Sequence, residues 1–63
     1  MKKFVRKNTV KLPRDFEVPW DWLRKNIGSF DNDWTITHDE ATGGASLHFS
    51  NRNSYTKFIL TWL

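Results

Sequence analysis

Apolar and polar positions alternate with a period of two in "NTVKLP": Val10 and Leu12 fall on one side of an extended chain, Thr9 and Lys11 on the other. That period marks a half-buried strand, and Pro13 ends it because proline has no N–H for the ladder. The preceding "MKKFVRK" either extends the strand or hangs free as a basic arm over residues 1–7. After the connector "RDFEV" the period changes. Pro19 suits the first helical position, where a missing N–H costs nothing, and Gly28 suits the position just past the last turn, where a left-handed residue closes a helix. Asp21 near the start, and Arg24 with Lys25 near the finish, complement the dipole of a short helix in "PWDWLRKNI".

At about 100° per residue, Trp20, Leu23 and Ile27 lie within about 60° of one another and form the stripe expected to face a core. Trp22 lies about 160° from the far edge of that stripe, on the side that carries Lys25 and Asn26. A tryptophan on the polar side is a typical interface anchor, because it gains much apolar contact while ordering few torsions. Trp22, Lys25 and Asn26 are therefore the candidate partner-binding residues. The competing expectation is that the N-terminal arm, or the connector around Phe16, folds over Trp22 and makes it ordinary core.

In "SFDNDWTITHDEATGGASLHF" the period returns to two. Trp34 and Ile36, with His38 at the end, alternate with Thr35 and Thr37, while Ala45, Leu47 and Phe49 alternate with Ser46 and His48. "DEATGG" between them is rich in turn formers, and its paired glycines permit positive φ. This pattern predicts a β-hairpin with one apolar face. Its other face presents Thr35, Thr37, Ser46 and His48, without the aromatic rings on which a sheet stacks single-stranded RNA.

The end, "SNRNSYTKFILTWL", opens with the helix-capping types Ser50, Asn51 and Asn53. Tyr55, Phe58, Ile59, Trp62 and Leu63 then follow the i, i+3, i+4, i+7, i+8 spacing of an amphipathic helix. A short helix followed by a strand stays open as well, since Phe58, Leu60 and Trp62 alternate with Ile59, Thr61 and Leu63 and two of these are β-branched. The expected fold is a two-layer α+β domain, an antiparallel sheet with helices on one face. Its order is β-α-β-β-α, or, with a final strand, a miniature ferredoxin-like β-α-β-β-α-β.

Composition narrows this picture. A chain of 63 residues forms one domain, residues 1–63, and buries only about 60% of the surface that its unfolded form exposes. Without cysteine there is neither a disulfide nor a thiolate metal site, so four tryptophans, five phenylalanines and one tyrosine must supply much of the core. Such a chain suits a reducing cytoplasm. The basic start is not followed by the apolar stretch of a secretory signal, and no run is long enough to span a bilayer, so a soluble cytoplasmic protein is expected.

Charge is uneven. Lys2, Lys3, Arg6, Lys7, Lys11 and Arg14 put six positive charges and no acid in the first fourteen residues, so with ten basic and seven acidic side chains in all the remainder nets −3. A cationic end of this kind seeks phosphate or an acidic protein surface. Those six residues are the candidate nucleic-acid contacts. The alternative is a solvated end that keeps an aromatic-rich protein in solution, and the mildly acidic remainder would repel a duplex.

Catalytic constellations are missing from the pattern. His38 and His48 lack zinc-site spacing, Ser46, Ser50 and Ser54 lack a nucleophile elbow, and "TGGAS" has neither the length nor the lysine of a phosphate loop. Asp31, Asp33, Asp39 and Glu40 lack the glycine and closing glutamate of a calcium loop. No enzyme, metal or cofactor is expected.

"HFSNRNSYTKFILTW" resembles a recurrent ending of small proteins encoded by large tailed bacteriophages: a strand ending in Phe, a short polar cap, then Phe-x-Leu-x-Trp. "WDWLRKNIG" followed by "DWTI" is similar to the middle of such proteins, and the resemblance covers residues 16–63. Tyr55-Thr56 stands where an acidic residue and alanine are usual. The resemblance implies a phage origin and carries over no functional residue. It favours an interaction protein that inhibits or redirects a larger host or viral protein. Nucleic-acid binding through the basic arm is the alternative, and exposed aromatics could also close a homodimer.

Overall fold

The computed structural model describes residue 4 and residues 6–63. Its sheet has three antiparallel strands: β1 (Thr9–Leu12), β2 (Trp34–His38) and β3 (Ala45–Phe49), in the order β1-β3-β2. Because β3 runs antiparallel to both neighbours, the two outer strands point the same way. The connection between them through helix α1 (Trp20–Asn26) spans the central strand, a split β-α-β arrangement. Helix α2 (Arg52–Trp62) follows β3, giving β-α-β-β-α. Residues 58–62 are helical, so the strand that would complete the ferredoxin-like order does not form. The helical apolar stripe prevails because Phe58 reaches the core from it.

Register sorts the side chains as their period requires. Val10 pairs with Leu47, Ile36 pairs with Leu47, and Trp34 pairs with Phe49, so one face is continuously apolar. Val10, Leu12, Trp34, Leu47 and Phe49 join Leu23 of α1 and Phe58 of α2 in one buried cluster. Phe49 lies 5.5 Å from the Phe58 ring, and the Trp34 indole N–H donates to the Gly28 carbonyl at 3.0 Å.

Local chemistry sets the boundaries. Asn51 caps α2: its side-chain oxygen accepts from the Ser54 amide at 2.8 Å. Pro19 stands one position earlier than expected, as the cap residue whose carbonyl accepts the first helical bond from Leu23. Gly28 has φ +140° and donates to the Leu23 carbonyl, and a Cβ there would meet the Asp33 carboxylate. In the hairpin turn Gly43 has φ +79°, and its amide and that of Asp39 close the loop on the Asp39 and Gly44 carbonyls.

Candidate functional site

Helix α1 meets its surroundings in three directions. Leu23 points into the core and is fully buried. Trp20, about 60° round the helix on one side, packs on Trp34 at 6.0 Å yet stays 43% exposed. Trp22, about 100° round on the other side, is half-buried, with its ring 6.0 Å from Phe58 and 5.9 Å from Trp62, both edge-on. This corrects the expected helix: the stripe of Trp20, Leu23 and Ile27 is not the whole buried face, and Trp22 is not stranded. A second helix lies beside α1 as well as the sheet beneath it, so the apolar arc is wider than a single stripe. The cover over Trp22 comes from α2, where the sequence pointed to the arm or the Phe16 connector.

Of the other two members of that trio, Asn26 is tied to the seam. Lys25 is exposed, and the Asn26 side chain donates to the Trp22 carbonyl at 3.0 Å. Lys57 of α2 donates to the Asn26 carbonyl at 3.3 Å, which ties the two helices together at the end of α1. Beyond the seam, the last turn of α2 leaves Leu60 82%, Trp62 41% and Leu63 66% exposed. Leu60 follows Phe58 by two positions, about 200° round the helix, so it points away from the core by simple geometry. At the opposite end of α1, Phe30 is 55% exposed and edge-on to Trp34 at 5.0 Å.

Among the described residues, no α-helix packs on the other face of the sheet. Thr9 and Thr35 flank His48, and Lys11 and Thr37 flank Ser46. The imidazole bridges the sheet: Nδ1 shares a hydrogen bond with Thr9 Oγ1 at 2.9 Å, and Nε2 one with Thr37 Oγ1 at 3.0 Å. Partial burial holds the His48 pKa below its ordinary value, so the ring is neutral at physiological pH. Beside it opens a shallow depression of about 470 Å³ lined by Phe4, Arg6, Thr9, Lys11 and His48.

Of the six basic residues of the N-terminal segment, the described ones are spread over separate places. Lys2 and Lys3 lie outside the described residues. Arg6 and Lys7 belong to a 3-10 turn, Arg6–Asn8, that enters β1, and the Lys7 carbonyl accepts from Arg52 at 2.6 Å. Arg14 lies against Gly43 at the hairpin turn. Among the described residues, Arg6 and Lys11 converge in the depression. Phe4 was not among the candidates. By strict alternation it would share the core side with Val10 and Leu12, but a 3-10 turn interrupts the period at residues 6–8 and Phe4 lines the depression on the open face.

Among the described residues, no three His, Asp or Glu side chains group to hold a metal, and no helix is long and apolar enough to cross a membrane. No family model matches the chain, and neither a curated protein nor a solved structure matches it.

Proposed function

We propose that this chain is a small protein-interaction module, acting in the host cytoplasm, that occupies the surface of a larger host or viral protein and inhibits or redirects it without performing chemistry. The observation that carries this reading is the exposed end of α2, where Leu60 and Leu63 meet solvent and the partly exposed Trp62 packs on Trp22. Scattered exposed apolar residues are normal, but three large ones in four consecutive positions, backed by an aromatic pair, form the kind of anchor that binding sites concentrate. Lys57 stands at the seam, so the complementary surface is an apolar hollow with an acidic group at its rim. The bacteriophage resemblance supplies the class of partner.

The test is affinity capture from bacterial lysate with the wild-type chain and with a Leu60→Ser/Leu63→Ser variant whose thermal melt matches wild type. Loss of a specific protein from the variant capture supports the reading. Identical captures would sink it, as would a self-associated wild type that the double substitution converts to monomer.

A further inference from the structure

The open face of the sheet carries a site that is independent of the helical seam. Arg6 and Lys11 both line its depression, and no carboxylate does. Neither has an acidic partner among the described residues, where the one ion pair joins Arg24 to Asp21 on the other side of the molecule. His48 adds no charge. Held by threonines at both nitrogens, it contributes a flat ring fixed in place on the sheet floor next to Phe4. Among the described residues, the rest of the floor is short and polar, with Thr35, Thr37 and Ser46.

We infer that this depression binds single-stranded nucleic acid, with one unpaired base stacked on Phe4 and the neighbouring phosphates held by Arg6 and Lys11. An aromatic face beside paired cations is the combination that unpaired nucleotides require, since every base offers a π-face and every linkage a charge. Charge complementarity selects a polymer over a free nucleotide. Arg6 and Lys11 are two separate cations on one lining, and a chain offers them successive phosphates where a free monophosphate offers one. A duplex is disfavoured because its bases are not free to stack.

Fluorescence anisotropy with a labelled oligothymidine of about fifteen nucleotides, begun at about 50 mM salt and titrated upward, tests this site. Binding should weaken with salt, with a log–log slope of at least about −1.4 from two phosphate contacts at about −0.7 each. Lys11→Gln should reduce that slope by about 0.7. Phe4→Leu, which keeps an apolar side chain and so preserves packing, should weaken binding about tenfold with the slope unchanged. Lys25→Gln, an equal loss of charge on the helical side, should leave binding as in wild type. The inference is overturned by absence of binding at low salt, by equal effects of Lys11→Gln and Lys25→Gln, or by wild-type affinity in Phe4→Leu. It is equally overturned if a duplex of the same length, or adenosine monophosphate alone, binds as tightly as the single strand.

Discussion

His48 shows how one residue's surroundings set its chemistry. Either threonine hydroxyl can donate or accept, so the two hydrogen bonds survive in both protonation states and do not choose between them. Loss of water around the ring does choose, and it favours the neutral form, which lowers the pKa from 6.5. The folded protein therefore binds this proton less readily than the unfolded chain. Its contribution to stability is complete above pH 6.5 and is lost as pH falls through the lowered folded-state value. Thermal melts at successively lower pH should show a decline beginning below pH 6.5 that is absent in His48→Asn, and the His48 ring proton should titrate below 6.5 by NMR. A ring that titrates above 6.5 would contradict the account.

At the scale of elements, the decisive contact is between the two helices. Neither α1 nor α2 is long enough to be stable alone, and each gains its stability from the apolar side it lays on the sheet and on its neighbour. Trp22 is the hinge of that packing, touching Phe58 and Trp62 at once. Trp22→Ala should therefore lower unfolding free energy by about 2 kcal/mol, below the cost of about 3 to 5 for a fully buried aromatic because the ring is only half covered. Leu60→Ser, on the far side of the same helix, should change it by less than about 0.5 kcal/mol. Urea unfolding of the two variants checks both values. Equal losses would mean that the exposed end of α2 is structural.

For the whole molecule, the sheet separates two surfaces: the helical seam ending in Leu60, Trp62 and Leu63, and the open face with Phe4, Arg6, Lys11 and His48. They share no lining residue, so their binding free energies should be independent. The Leu60→Ser/Leu63→Ser variant should bind the oligonucleotide as wild type does, and Phe4→Leu should capture the same protein as wild type. Loss of both activities in either variant would show that the two proposed sites are coupled. Acidic residues concentrate away from the depression, with Asp31, Asp33, Asp39 and Glu40 in the two connections that flank β2. A net charge of +3 thus hides a distribution with a direction.

Elements and their inward faces were legible in the chain itself, because they depend on local periods. Alternation in β1, β2 and β3 named Val10, Leu12, Trp34, Leu47 and Phe49 as core, and Asn51 and Gly28 marked helix boundaries through their own backbone preferences. What each helix meets from the side was not legible, because a wheel drawn for one helix assumes one partner. That is why Trp22 read as stranded, while in the fold α2 covers it and Trp20 is left more open. The same limit hid the open-face site. Phe4, Arg6, Lys11 and His48 come together only when β1 pairs with β3, two segments more than thirty positions apart, and when a single 3-10 turn shifts the phase of the chain before it. Local propensity acts over a few residues and can be read in order, whereas a site assembled across strands exists only after the register is set.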